Sequence, residues 1–205
     1  TYREWDNTQT QDDLVMNRRQ MIGLALPLIA APSLVLAQAA PKATPAAATA
    51  DPYQPVEVPI REGFEVGSIV VVSDKFFLYH VIAPGRAIRY GVAVGKDELV
   101  WKGKARIGRK VEWPSWRPTE AMIKRKPEQY GKWIDGMPGG PKNPLGARAL
   151  YLYDANGNET AIRIHGTTEP GSIGRAVSNG CIRMRNEAVM ALFDQVPIGT
   201  PVYVY

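Results

Sequence analysis

Downstream of residue 58 the apolar positions come in short alternating or β-branched runs, broken at close intervals by turn residues. Ser68–Val72 is apolar and β-branched, Ser73-Asp74-Lys75 is a turn, and Phe76–Ile82 is a second run. Ala83-Pro84-Gly85 leads into Ala87–Val94, and Val100–Lys104 and Arg106–Glu112 read as two more strands. Such runs, bounded by Gly, Pro, Asn and Asp, predict a meander of short strands. Ala149–Tyr153 and Ala161–His165 flank a hairpin-type turn at Asp154-Ala155-Asn156-Gly157, and Pro201–Tyr205 closes as a final strand. The period changes only near the end. Val189, Leu192, Phe193 and Val196 fall at i, i+3, i+4 and i+7, which predicts one amphipathic helix with Asn186 as its N-cap. Trp113–Pro144 follows neither period. Its Trp-Pro, Lys-Pro, Met-Pro-Gly-Gly-Pro and Asn-Pro-Leu-Gly punctuation predicts an irregular excursion of the kind that forms lids and binding loops.

The N-terminal part has another character. Asn17-Arg18-Arg19-Gln20, the apolar run Met21–Leu36 and Ala37-Gln38-Ala39 form a basic region, an apolar region and a small-x-small cleavage site. Residues 1–39 are therefore expected to be a leader, with Met16 as its true start. The pair Arg18-Arg19 is compatible with twin-arginine export and the remainder with Sec export. The apolar run is shorter than a membrane span needs and carries Pro27 and Pro32. Residues 40–57, rich in Ala, Pro and Thr, are expected to be a linker, and residues 58–205 the folded domain.

Composition narrows this picture modestly. Seventeen prolines and nineteen glycines argue against a helical bundle. The net charge of +5 suits an acidic polymer or surface, but no dense Lys/Arg run is present, so nucleic acid is not an expected partner. The one cysteine, Cys181, excludes an internal disulfide. Two histidines and one cysteine lack ligand-type spacing, so no metal is expected, and no cofactor-binding motif stands out.

Two stretches carry candidate chemistry. In Ile162-Arg163-Ile164-His165-Gly166-Thr167, alternation directs Ile162 and Ile164 to the core and His165 to the other face, with Gly166 free to turn. In Ser178-Asn179-Gly180-Cys181-Ile182-Arg183-Met184, Ile182 and Met184 face the core while Cys181 shares a face with Arg183. A nearby cation favours the thiolate. The Gly180 and Cys181 N–H groups are candidates to stabilise an oxyanion. A Cys–His pair also needs a group to hold the imidazole. No carboxylate stands at a telling spacing, which leaves the Gly166 carbonyl or a hydroxyl. A lone cysteine is equally compatible with a small buried hydrophobe. His80 reads as a packed strand residue.

His165-Gly166-Thr167, followed by Ser178-x-Gly180-Cys181-Ile182-Arg183-Met184 and Asn186, resembles the signature of the L,D-transpeptidase (YkuD-type) catalytic domain. Phe77-Leu78-Tyr79, Trp113-Pro114-Ser115-Trp116 and Gly139 to Ala147 are also similar to that family, so the resemblance spans about residues 58–205. One departure is Asn179, where the family often has a second histidine. The resemblance implies a mainly β, compact mixed-sheet, β-sandwich-like fold with one notable helix near the C-terminus. It implies a Cys181 nucleophile, a His165 base and a thioester acyl-enzyme, with Gly166 beside the base. Ser178, Asn179, Gly180, Arg183 and Trp116 are the implied substrate or oxyanion residues. The implied substrates are peptidoglycan stem peptides, joined by 3→3 cross-links. Water as acceptor implies a carboxypeptidase or endopeptidase, and a lipoprotein lysine a wall-anchoring enzyme. A non-catalytic wall-binding module is the reading from another class. A monomer, exported to the periplasm or cell envelope, is expected.

Overall fold

A computed structural model of the chain describes residues 51–205. The expected leader, its Met16 start and residues 40–50 of the expected linker lie outside the described residues.

Eleven strands and three α-helices follow in chain order. They are β1 (Val56–Pro59), β2 (Ile69–Val72), β3 (Phe77–Ala83), β4 (Arg86–Gly91), β5 (Val94–Gly95), β6 (Gly103–Glu112), α1 (Glu120–Arg125), α2 (Pro127–Tyr130), β7 (Arg148–Tyr153), β8 (Glu159–His165), β9 (Ala176–Ser178), β10 (Ile182–Arg183), α3 (Asn186–Gln195) and β11 (Pro201–Val204). Nine of the strands form one continuous mixed sheet in the order β1-β4-β3-β2-β11-β6-β7-β8-β10, and β5 pairs β9 in a small parallel sheet. The fold is thus mainly β with a mixed sheet, as expected.

The core is built from the β-branched runs. Ile69, Val71, Leu78, Ile107, Leu150, Leu152 and Ile164 are fully buried. Helix α3 covers the sheet with Ala188, Val189, Leu192 and Phe193, and Val196 follows at the helix end. Burying one such side chain stabilises by about 1.5–3 kcal/mol, so this face fixes the helix on the β7–β8 region.

Several expectations are corrected. Residues 51–57, ahead of the expected domain start at 58, fall in the same compact unit as the rest of the described chain. Tyr53 packs where Cβ atoms on Gly91 and Gly174 would sit, at 2.4 and 2.2 Å, and β1 pairs β4. The two strands expected over 100–112 are one, β6, which carries an irregularity between Ile107 and Arg109. Gly108 permits it, because a Cβ there would stand 2.2 Å from the Tyr153 ring. Residues 113–144, expected to be irregular, contain two short helices. Thr119 caps α1 by accepting from Met122 N at 3.2 Å, and Pro127 opens α2. This capping segment is hooked at several points. Trp116 and Met137 exchange backbone hydrogen bonds of 2.9 and 2.6 Å, and Trp113 N donates to Ala147 O at 2.8 Å. Buried Asn143 donates to Met137 O and Pro138 O and accepts from Leu145 N. Asn186 is not the N-cap of α3; Arg185 holds that position without a side-chain bond. Asn186 Oδ1 instead accepts from Ala147 N at 3.1 Å and Thr167 N at 3.2 Å.

Candidate active site

Strand β10 lies parallel to β8, with Ile182 opposite Ile164 and Arg183 opposite His165. This register follows from the apolar alternation. Ile164, Ile182 and Met184 are buried, and Ile162 packs against the same cluster. The opposite face of the same two strands carries His165, Arg163, Cys181 and Arg183. All four line one groove of about 520 Å³. The capping segment supplies its other wall, including Trp116, Met122 and Arg125.

His165 is 4% exposed, and its Nδ1 lies 2.6 Å from Gly166 O. A carbonyl can only accept, so Nδ1 carries the proton and Nε2 is the basic nitrogen. Of the two groups considered for holding the ring, the Gly166 carbonyl or a hydroxyl, the carbonyl is the one in contact with Nδ1. Gly166 has no room for a side chain, since a Cβ would lie 2.1 Å from Asn186 Oδ1. Burial pushes the His165 pKa down to about 4, and the charges of Arg183 and Arg163 lower it too, against the pull of the Gly166 and Leu145 carbonyls. The ring is neutral at pH 7.

The Cys181 thiol is partly exposed and donates to Ala161 O at 3.7 Å. Burial pushes its pKa up, while hydrogen bonding from the Arg163 backbone and side chain, and the charges of Arg163 and Arg183, draw it back. Burial thus favours the uncharged form of both groups. The resting pair is thiol and imidazole, with the thiol hydrogen-bonded to a carbonyl rather than to the ring.

Ser178 Oγ donates to Cys181 O at 2.6 Å and accepts from Gly180 N at 3.1 Å, closing the turn that presents the cysteine. Gly180 takes φ 118, a value that favours glycine. At rest its N–H is engaged by Ser178 Oγ. Asn179 is exposed, and its Oδ1 accepts from Arg125 Nη2 at 2.9 Å, tying α1 to the turn before Cys181. Arg183 pairs with Glu169 at 3.0 Å, so part of its charge is already offset. Trp116 lines the groove and stands 6.3 Å from the Tyr130 ring. His80 is buried in β3, as expected of a packed residue. Arg125, Arg163 and Glu169 were not expected at the site. For Arg163 the signal was available, because it stands two residues before His165 in a strand and therefore shares its face.

A second groove of about 500 Å³ adjoins the first through Trp116, Arg117, Met137 and Arg163. Among the described residues no group of three or more His, Cys, Asp or Glu is arranged to hold a metal ion, and no helix is long and apolar enough to cross a membrane.

Comparison with known proteins agrees with this architecture. Residues 67–204 match the family model for the L,D-transpeptidase catalytic domain, YkuD. A candidate L,D-transpeptidase of Fuscovulum blasticum, encoded in the ATP synthase subunits region, is 36% identical over 70% of this chain and 74% of its own length. The probable L,D-transpeptidase ErfK/SrfK of Salmonella typhimurium is 43% identical over 71% of this chain, which spans only 44% of that protein. Among solved structures, a Brucella melitensis protein named as a probable carnitine operon oxidoreductase is 51% identical over 73% of this chain and 92% of its own, with a TM-score of 0.52. Its name denotes a different activity, and the family assignment rests on the domain match. The Enterococcus faecium L,D-transpeptidase, 18% identical over 69% of this chain and 50% of its own with a TM-score of 0.52, shares the fold. With the domain match covering well over half of its length, the chain belongs to the L,D-transpeptidase (YkuD) family.

Proposed function

We propose that this protein is an exported cysteine acyltransferase that remodels peptidoglycan stem peptides, with Cys181 as nucleophile and His165 as base. His165 Nε2 takes the thiol proton, and the thiolate attacks the carbonyl of the third stem residue. The C–N bond to the terminal residue breaks, the imidazolium returns its proton to the leaving amine, and a Cys181 thioester remains. The side-chain amine of a neighbouring stem then attacks the thioester and forms a 3→3 cross-link, regenerating the thiol. The Cys181 N–H is the candidate oxyanion donor, joined by Gly180 N–H when Ser178 releases it. Arg183, Arg117 and Arg125, which line the groove, suit the carboxylates of such a stem, and Trp116 suits its apolar parts.

The observation that carries this reading is the Nδ1–Gly166 O bond. It leaves the basic nitrogen of a neutral, buried ring on the face that also bears the only cysteine. Export to the periplasm follows from the expected leader and from the location of such substrates. No metal or cofactor is needed for this chemistry. Water or a lipoprotein lysine as acceptor would use the same acyl-enzyme. Incubation of the purified protein with tetrapeptide muropeptides distinguishes these outcomes by product mass: cross-linked dimers are expected. Shortened stems alone would make it a hydrolase, and unchanged substrate would support a binding module.

A further inference from the structure

Ala161 takes φ 62, a left-handed conformation that costs an alanine about 1–2 kcal/mol. It lies inside β8, where pairing with β7 slips between Tyr151 and Tyr153. Strain of this kind persists only when the surroundings demand it. Its effect is to turn the Ala161 carbonyl toward two donors. Cys181 Sγ donates to it at 3.7 Å and Arg163 Nη1 at 3.4 Å. The thiol and a guanidinium nitrogen therefore meet on a single oxygen.

The guanidinium is itself fixed. Arg163 Nη2 lies 2.7 Å from Glu159 Oε1, and the group stands over the Tyr151 ring at 4.7 Å. Its Nε is buried with no hydrogen-bond partner. Glu159 is shared, because Arg109 lies 3.8 Å from its other oxygen and 3.7 Å from the same Tyr151 ring. One carboxylate faces two guanidinium groups, so net positive charge remains beside the sulfur.

We propose that Arg163 is the cation that receives the Cys181 thiolate, and that the Ala161 carbonyl is the acceptor on which the thiol rests beforehand. The proposal presupposes Cys181 as nucleophile. When the proton passes from Sγ to His165 Nε2, one S–H bond breaks, one N–H bond forms and nothing else changes. The sulfur then has no hydrogen to give Ala161 O, and the carbonyl dipole repels it. Arg163, whose backbone N–H and side chain already reach the sulfur, then holds the thiolate, with Nη1 released from its long bond to that oxygen. The other charged groups facing the sulfur do less. Arg183 is engaged by Glu169, Arg125 is held on Asn179, and His165 becomes the counter-cation by accepting the proton.

The test is the pH dependence of Cys181 alkylation by iodoacetamide, measured beside turnover of a tetrapeptide stem. Arg163→Met should raise the alkylation midpoint by about one to two pH units, with kcat falling at least about tenfold and KM changing less. Arg163→Lys should restore most of both. Glu159→Gln, which frees the positive charge, should shift the midpoint the other way. Near-UV circular dichroism confirms that each variant is folded. A midpoint unmoved in folded Arg163→Met overturns the proposal. So does a rise in Glu159→Gln, a test that stands even where the Met variant does not fold. Failure of the underlying reading looks different: wild type and Cys181→Ala would then process the stem alike.

Discussion

Asn186 offers a quantitative test of how the site is held. Its Oδ1 accepts the N–H of Ala147, just before β7, and that of Thr167, two residues after His165. Both donors need an acceptor, so the amide orientation is dictated by the backbone around it. Gly146 and Gly166 close over that oxygen, since Cβ atoms there would lie 2.3 and 2.1 Å from it. Asn186→Ala deletes the acceptor and leaves both N–H groups without a protein partner. Each such donor costs about 1–3 kcal/mol when buried. The vacated space is polar, and a water that enters it recovers part of this, so a net loss of about 2–4 kcal/mol is expected. Asn186→Asp is the control. It keeps both acceptor positions, and its charge in the first turn of α3 is favourable by about 0.3–1 kcal/mol. Urea unfolding at neutral pH, compared at equal slope, reads the difference. A loss below about 1 kcal/mol for Ala, or equal damage from Asp and Ala, would refute the assignment. The Gly166 carbonyl that orients His165 adjoins this junction, so activity in Asn186→Ala should fall further than its folded fraction does.

Other predictions concern titration and the capping segment. His165 is neutral in the fold down to about pH 4, whereas the unfolded chain protonates it near the ordinary value of 6.5. The stability it contributes is thus full above pH 6.5 and is lost as pH falls toward 4. At about 1.4 kcal/mol per unit, the loss is about 3 kcal/mol. His165→Gln should remove that part of the acid decline, and parallel stability curves for the two proteins would contradict it. Gly139→Ala would set a Cβ 1.8 Å from Trp113 O, which is backbone and cannot yield easily. It should destabilise by about 1–3 kcal/mol and raise KM, and wild-type KM at wild-type stability would count against a substrate role for this segment. Arg125→Ala removes the tie to Asn179, a bond worth about 1 kcal/mol at most. Hydrogen exchange in residues 120–130 should quicken with little change in global stability. Unchanged exchange would mean the tie does not hold the segment.

The parts of the fold legible in the sequence are those where burial and period coincide. The β-branched run in β2, the hairpin of β7 and β8 and the apolar stripe of α3 announce themselves because their side chains make the core. Short elements do not. Helices α1 and α2 have six and four residues, too few to show a period, and β9 and β10 are shorter than one alternation cycle can identify. Strand β1 hides in Pro-rich sequence because only its pairing with β4 orders it. At the groove, the shared face of His165, Cys181 and Arg183 was readable from strand alternation, and the Gly166 carbonyl was one of two groups considered for the contact the ring makes. The commitment of Gly180 N–H to Ser178, the Arg125–Asn179 bond and the use of Asn186 as a junction were not. Each depends on groups brought together by tertiary structure, and Asn186 in particular has the local look of a cap. Ala161 gives no warning in sequence, since alanine is not a residue that signals a left-handed backbone.

The most direct measurement is the intact mass of the protein after brief exposure to a tetrapeptide donor, followed by peptide mapping. One covalent adduct is expected, equal to the donor less its terminal D-alanine and carried on Cys181. It should be absent in Cys181→Ala and form far more slowly in His165→Ala. An adduct on another residue, or cross-linking by protein whose Cys181 stays unmodified, would contradict it.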